Sequence, residues 1–117
     1  QMSIKEIGSA LRMTSRLCRD LKIDKKEFFG GSMTISSLGG IGGTFFTPII
    51  NLPEVAILGV GKSFDRLVKV NDKFVSRKIL PISLSYDHRI IDGAEGARFC
   101  VYLGKCLGKD FAFKLAV

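Results

Sequence analysis

The sequence predicts an α/β domain, and three observations carry that prediction. Apolar residues recur at helical spacing near both ends of the chain. Between them lie segments that alternate apolar and polar residues, as half-buried strands do. One further segment, Val55–Gly61, is apolar throughout, which predicts a strand buried on both faces. With 117 residues, 46% of them hydrophobic and 25% charged, the chain has the length and composition of one globular domain with a core.

The opening helix is predicted from its cap and its period. Ser3 and Glu6 form a capping-box pattern, in which each side chain accepts from the other residue's backbone N–H. The apolar period then extends an amphipathic helix over Ser3–Leu21. Asp24 begins a second, smaller cap pattern, and we expect a short helix there that stops at Gly30-Gly31.

A last helix is predicted after Gly93, running to about Gly108. Asp92 stands where an N-cap would, with Glu95 in the capping-box position. The apolar residues that predict the helix are Ala94, Ala97, Val101 and Leu107, with Phe99, Cys100 and Leu103 nearby.

Strands fill the middle of the chain. Besides Val55–Gly61, they are predicted at Met33–Ser37, Arg66–Val70, Phe74–Leu80 and Ile82–Tyr86. The turn residues Asn71-Asp72-Lys73 indicate a hairpin between Arg66–Val70 and Phe74–Leu80. Phe45–Ile50 is apolar, and we expect it to be extended.

A glycine-rich loop follows the first strand. It contains Gly39, Gly40, Gly42 and Gly43. Glycine permits positive φ and a close approach of the backbone to another group. The loop is therefore either a tight connection or a backbone surface for a phosphate or a pantetheine arm, and the sequence favours neither interpretation.

The segment Ala56–Ser63 fits a relaxed phosphate-loop pattern, but we reject a nucleotide site there. A phosphate loop needs a strand before it and a helix after it. Here the loop positions themselves are apolar strand residues, and Asp65–Val70 has the pattern of another strand.

Composition argues against several other classes. The three cysteines, Cys18, Cys100 and Cys106, form no CxxC pair, and we expect buried, reduced thiols. With one histidine and no cysteine cluster, no metal site is expected. The net charge of +7 suits solubility or an anionic partner, but the basic residues are scattered, so nucleic acid is not favoured. The longest apolar run is too short to span a membrane, and no secretory signal is visible.

The stretch Ser83–Gly93 holds the chemistry-bearing residues. His88 is the only histidine of the chain and lies where a predicted strand ends. A loop histidine flanked by carboxylates is a candidate general base, although a structural histidine at a strand end is an equal alternative on chemistry alone. Asp92 is likewise either part of a site or simply a helix cap.

Three stretches resemble one family. Asp87–Gly93 matches DHRxxDG, the signature of the acyltransferase component of 2-oxo acid dehydrogenase complexes. Gly30–Gly39 is similar to the family's GGTFTISNLG, and Phe46–Val60 resembles the segment between the two motifs, especially in pyruvate-type members. Ser32-Met33 stands in place of the usual Thr-Phe.

The resemblance implies a fold and a site. The fold is the chloramphenicol-acetyltransferase-like two-layer α/β sandwich with a mixed sheet, assembled as homotrimers that build a larger core. His88 would be the general base, Ser36 the oxyanion donor and Asp92 the residue that holds the arrangement. The histidine and serine would come from neighbouring subunits, in a channel that binds coenzyme A and lipoyl-lysine. If the glycine loop is a backbone surface for a pantetheine arm, Gly39, Gly40, Gly42 and Gly43 are the candidate coenzyme contacts.

The resemblance also sets the extent and the partners. Residues 1–117 match only the C-terminal half of the family's catalytic domain, and no lipoyl or subunit-binding domain is expected among them. Through such domains the family binds decarboxylase and dihydrolipoamide dehydrogenase components. The expected location is the cytoplasm in a bacterium and the mitochondrial matrix in a eukaryote. The expected activity is acyl transfer, acetyl in particular; the alternative is a non-catalytic module that keeps the fold to build a core.

Overall fold

A computed structural model describes residues 2–108 and residue 111. The chain divides into two compact units. One comprises Gln1–Gly31 with Val101–Val117, and the other is Ser32–Cys100. None of the helices in the described part of the chain is long and apolar enough to cross a membrane.

The first unit opens with helix α1, Ile4–Arg19, and its predicted capping box is confirmed. The Ser3 backbone N–H donates to Glu6 Oε2 at 2.7 Å, and the Glu6 N–H donates to Ser3 Oγ at 3.3 Å. The helix ends earlier than its apolar period predicted. Leu21 lies beyond the end with a φ of 53° and 91% of its surface exposed.

The short helix predicted after Asp24 is a 3-10 helix, Lys25–Phe28. Asp24 Oδ1 accepts from the Lys26 N–H at 3.0 Å, which satisfies one of the donors left free at the start of the helix. Gly30 follows with a φ of 87°, the left-handed conformation that glycine adopts without strain.

The second unit contains five strands. They are β1 (Thr34–Ser37), β2 (Ala56–Val60), β3 (Phe64–Val70), β4 (Lys73–Ile79) and β5 (Ile82–Tyr86). β1, β2 and β5 form a mixed sheet in that order, with β2 parallel to β1 and antiparallel to β5. β3 and β4 form a separate antiparallel pair.

β2 is the centre of the core, as its continuous apolar sequence predicted. Ala56, Ile57 and Leu58 are 5–8% exposed. One face of the sheet, which carries Leu58, is covered by the start of helix α2, Gly93–Cys106. On the other face Gly59 lies against Phe46 and Pro48: a Cβ at Gly59 would be 3.0 Å from the Phe46 ring.

Helix α2 confirms the predicted element, and the structure shows which of its predicted apolar residues are packed. The series at helical spacing, exemplified by Val101 at 58% exposure, is exposed to solvent. Gly96 is buried, and Cys100 and Leu103 are half-buried. The helix carries apolar residues on more than one side, so its period alone does not identify the packed face.

The predicted hairpin is present. β3 and β4 pair in register from Phe64 opposite Ile79 to Val70 opposite Lys73. Asn71 and Asp72 form a two-residue turn with φ values of 47° and 61°, as a type I′ turn requires.

One expectation needs correction, and one segment is described more closely by the structure. The cysteines Cys18, Cys100 and Cys106 lie in helices, as predicted, but are half-buried rather than buried. Phe45–Ile50 belongs to no strand. This segment packs against the sheet through side chains such as Phe46 and makes no strand ladder.

Candidate active site

His88 lies in a turn at the end of β5, where the sequence placed it. The turn is tied to the sheet, because the Asp87 N–H donates to the Val55 carbonyl at 2.8 Å. The Asp87 carbonyl in turn accepts from the N–H groups of Ile90 and Ile91, each at 3.0 Å. His88 is exposed to solvent in the single chain.

The His88 ring is flanked by Tyr86 and by the start of α2. The Tyr86 and His88 ring centroids are 5.6 Å apart, with a 39° angle between the planes. A Cβ at Gly93 would be 4.0 Å from His88 Nε2, and one at Gly96 would be only 2.8 Å from Tyr86 Cε1. Tyr86 is therefore a neighbour of the site that the sequence analysis missed. The sequence signal for this contact was the pair Gly93 and Gly96, three residues apart on the predicted helix, which leaves room for a neighbouring ring.

Asp92 is the N-cap of α2. Its Oδ1 accepts from the Glu95 N–H at 2.7 Å, and its carbonyl accepts from the Gly96 N–H at 3.1 Å. The cap fixes where the helix begins, four residues after His88. Capping is thus the role that the structure assigns to Asp92 within one chain.

Asp87 and Arg89 pair on either side of His88. Arg89 Nη2 lies 2.6 Å from Asp87 Oδ2, and Nε lies 2.9 Å from Oδ1. The side-chain hydrogen bonds from Arg89 are the main reason that the pKa of Asp87 is lowered from 3.8 to about 2. Asp87 is therefore ionised throughout the neutral range.

Ser36 lies far from His88 within the chain. Ser36 is opposite Gly59, which is opposite Ser83, five residues before His88. Two strand spacings separate Ser36 from Ser83, about 10 Å, and β5 runs about 10 Å further to Tyr86. Ser36 also faces away from α2, since Ile35 and not Ser36 shares the face of Leu58.

The glycine loop is partly a structural connection. A Cβ at Gly39 would be 3.3 Å from the Gly61 carbonyl oxygen, and the Gly43 carbonyl accepts from the Lys62 N–H at 2.9 Å. Gly42 and Gly43 have positive φ values of 144° and 86°. Around Gly40 and Gly42 no described atom would approach an added Cβ within 4 Å. The space around Gly43 is equally open, although its carbonyl is bonded to Lys62, whereas Gly39 packs against Gly61.

The structure confirms that the segment Ala56–Ser63 is not a phosphate loop, because a strand and not a helix follows it. Ala56–Val60 is strand β2, and Phe64 begins strand β3 rather than a helix. The Lys62 backbone N–H is engaged by the Gly43 carbonyl.

An apolar cavity of about 250 Å³ lies between α2 and the sheet. Its lining consists of Met33, Ala56, Leu84, Ile91, Glu95, Gly96 and Phe99. The cavity is on the α2 face, opposite to Ser36. Within residues 2–108 and 111, no three His, Cys, Asp or Glu side chains are grouped as a metal ion would require.

The family of the chain follows from its sequence. The model of a family described as 2-oxoacid dehydrogenases acyltransferase (catalytic domain) matches residues 1–112. Because this match covers nearly the whole chain, the chain belongs to that family. The resemblance seen in the three sequence stretches is thereby confirmed.

Comparison with individual proteins identifies the branch of the family that this chain resembles. The chain is 52% identical over 108 residues to the dihydrolipoyllysine-residue acetyltransferase component of the pyruvate dehydrogenase complex of Cupriavidus necator. It is 54% identical over 104 residues to that of Haemophilus influenzae. These alignments cover 92% and 89% of this chain but 19% and 18% of those proteins, so the chain spans about a fifth of their length.

Solved structures confirm the predicted fold class. The dihydrolipoamide acetyltransferase of Azotobacter vinelandii is similar with a TM-score of 0.89 and 46% identity, over 96% of this chain and 46% of that one. The study of that enzyme concerns the role of one serine, one histidine and one asparagine in its catalytic mechanism. A probable dihydrolipoamide acetyltransferase of Listeria monocytogenes has a TM-score of 0.81 and 33% identity, over 86% of this chain and 43% of that one.

Proposed function

We propose that this chain forms part of an acetyltransferase that moves an acetyl group from S-acetyl-dihydrolipoyl-lysine to coenzyme A. One observation supports the proposal most strongly. In the Azotobacter vinelandii enzyme the named histidine follows the named serine by 52 positions, and the asparagine follows the histidine by four. The same two spacings separate Ser36 from His88 and His88 from Asp92.

In the proposed reaction His88 acts as general base. A free thiol has a pKa near 8.5, so at neutral pH most of the coenzyme is the unreactive thiol. The imidazole takes the thiol proton as sulfur attacks the thioester carbonyl. When the tetrahedral intermediate collapses, the dihydrolipoyl sulfur leaves and takes the proton back from the imidazolium.

Ser36 supports the intermediate. Attack places a negative charge on the carbonyl oxygen, and a hydroxyl donor aimed at that oxygen stabilises the transition state. The acetyl group passes directly between two sulfur atoms, so the reaction requires no nucleophile from the protein.

Asp92 differs from the asparagine at the corresponding spacing in the Azotobacter vinelandii enzyme. Both side chains offer an oxygen that can cap a helix. We therefore assign Asp92 to holding the start of α2 beside the His88 turn, a role that an amide could also fill.

The site we propose is shared between subunits. Ser36 and His88 lie too far apart in one chain to act on one thioester, so Ser36 must meet a His88 from another copy. A homotrimer that builds a larger core supplies such pairs, and one similar solved structure is the cubic core of a pyruvate dehydrogenase multienzyme complex. The decarboxylase and dihydrolipoamide dehydrogenase components would be the other partners.

The substrates would enter from opposite sides of that interface. Lipoyl-lysine would be supplied by a lipoyl domain. For the coenzyme, the open backbone at Gly40 and Gly42 is the part of the glycine loop best suited to a pantetheine arm, because no side chain covers it. Gly43 has the same open surroundings and would be a further contact, whereas Gly39, which packs against Gly61, would shape the loop.

The test is acetyl transfer from acetyl-dihydrolipoamide to coenzyme A in the assembled protein. His88→Ala should lower kcat by at least about 10²-fold, the usual effect of losing a general base, with little change in coenzyme A binding. Near-normal turnover would remove His88 from the reaction and would favour the alternative, a module that only builds a core.

Ser36 is tested against its neighbour on the same strand. Ser36→Ala should raise the barrier by about 2.7–4 kcal/mol if Ser36 is a main oxyanion donor. Ser37→Ala is the matched control, because Ser37 points to the opposite face of β1, and its effect should be mild. A larger effect for Ser37→Ala would show that the wrong hydroxyl has been assigned.

A further inference from the structure

The turn that carries His88 is closed by a side-chain ion pair that spans the histidine. Asp87 Oδ1 accepts both the Arg89 backbone N–H, at 3.0 Å, and Arg89 Nε, at 2.9 Å. Asp87 Oδ2 accepts from Arg89 Nη2 at 2.6 Å. The guanidinium thus binds the carboxylate through two nitrogens, the geometry that fixes orientation as well as distance.

The backbone around this pair is held in the same way. Asp87 donates its N–H to Val55, the residue before the central strand β2, at 2.8 Å. Its carbonyl accepts from two N–H groups further along the turn. The residues on both sides of His88 are therefore fixed, one by the sheet and the other by the carboxylate.

We propose that Asp87 and Arg89 are positioning residues for His88, acting as a clamp that holds its imidazole in the reactive orientation. This inference rests on the proposed role of His88 as general base. Neither clamp residue takes or gives a proton in the reaction. A base that is misplaced by about 1 Å can lose up to about 10²-fold in rate, so a clamp on the turn has a measurable kinetic effect.

The clamp is suited to a local role rather than to global stability. The Arg89 side chain is 86% exposed, although that of Asp87 is only 20% exposed, and ion pairs with a solvent-exposed partner contribute little to the free energy of unfolding. A second ion pair, Lys78 to Asp65 at 3.2 Å, lies on the hairpin with both side chains more than half exposed. That pair is a control for the loss of a surface ion pair, because it also joins a cation to an aspartate but spans no candidate catalytic residue.

The experiment measures kcat and both KM values for acetyl transfer in the assembled protein. Arg89→Ala should lower kcat by about tenfold, while both KM values stay within about twofold, because substrate contacts are intact. Arg89→Lys should recover only part of the rate lost in Arg89→Ala. Lysine keeps the positive charge but lacks the planar guanidinium that donates to the carboxylate from two nitrogens. Asp65→Asn should leave kcat unchanged.

A double-mutant cycle separates the clamp from two independent effects. If the residues act together, Asp87→Asn combined with Arg89→Ala should be no slower than the slower single variant. Additive losses, an unchanged kcat in Arg89→Ala, or an equal loss in Asp65→Asn would overturn the clamp.

His88→Ala is measured in the same series to separate the two proposals. If His88→Ala is slow and Arg89→Ala is normal, only the clamp fails. If His88→Ala itself is normal, the proposed function fails first, and the clamp fails with it because it has no base to position.

Discussion

Strand β2 and the β3–β4 hairpin have comparable regularity but opposite burial. β2 is paired on both edges, and Ala56–Leu58 is almost wholly buried. The hairpin is hydrogen-bonded along seven residue pairs, yet Leu67 and Phe74 are 69% and 74% exposed. A complete backbone ladder therefore does not by itself create a core.

The difference lies in how much apolar cover each region has within the described residues. Apolar burial is the main favourable term in folding, and an isolated two-stranded hairpin is marginal in water. β2 has cover from α2 on one face and from Phe46 on the other. The hairpin has no such cover in the described part of the chain, and apolar side chains such as Leu67 and Phe74 remain exposed.

The largest expected effect is on the free energy of unfolding, and it should differ between β2 and the β3–β4 hairpin. Leu58→Ala should reduce the free energy of unfolding by about 2–5 kcal/mol, because it leaves a cavity in the only well-buried strand described. Leu67→Ala in the hairpin should change it by less than about 0.5 kcal/mol. Urea unfolding at dilute protein concentration measures both. An equal loss for Leu67→Ala would show that the hairpin is packed after all.

A smaller effect is expected where α2 meets the sheet. Gly96→Ala places a Cβ 2.8 Å from the Tyr86 ring, so the ring must move, at about 1–3 kcal/mol. Gly104→Ala is the matched control on the same helix, since nothing described lies within 4 Å of the added atom, and it should stabilise by up to about 1 kcal/mol. Thermal unfolding distinguishes the two variants. If Gly104→Ala destabilises the protein and Gly96→Ala does not, the close packing of Tyr86 against Gly96 is refuted.

The smallest effect is the pH dependence of the Asp87 turn. Arg89 lowers the pKa of Asp87 from 3.8 to about 2, so the ionised form is favoured in the folded chain. The resulting stabilisation is present above about pH 4 and is lost as the pH falls through about 2. The Tm difference between the wild-type protein and Asp87→Asn should therefore shrink over that interval. A difference that is constant from pH 6 to pH 2 would contradict the pairing.

Much of the fold could be predicted from local patterns. The capping box at Ser3, the hairpin turn at Asn71 and the apolar run of β2 were predicted correctly, because each depends on neighbours in sequence. The packed face of α2 was predicted only in part, since that face is selected by the close approach of Tyr86 to Gly96. A contact between residues ten apart leaves no trace in a helical period.

In the candidate site, too, the residues determined by local sequence were predicted and those determined by tertiary contacts were not. His88 at a strand end and Asp92 as a helix cap follow from local sequence and are where they were predicted. The Asp87–Arg89 pair and the Tyr86 neighbour were missed, because both depend on how the turn folds back. Strand order sets the distance between Ser36 and His88. The family resemblance implied that these residues come from different subunits, whereas the local sequence pattern does not determine strand order.

The central claim is that one chain supplies His88 and another supplies Ser36, and mixing two inactive variants tests it most directly. His88→Ala and Ser36→Ala proteins are dissociated, mixed in equal amounts, reassembled and assayed for acetyl transfer to coenzyme A. If neighbouring copies share each site, random assembly pairs an intact His88 with an intact Ser36 in about a quarter of the sites, and about a quarter of the wild-type rate should return. If the mixture remains as inactive as its two parents, both residues act from the same chain and the shared site is wrong.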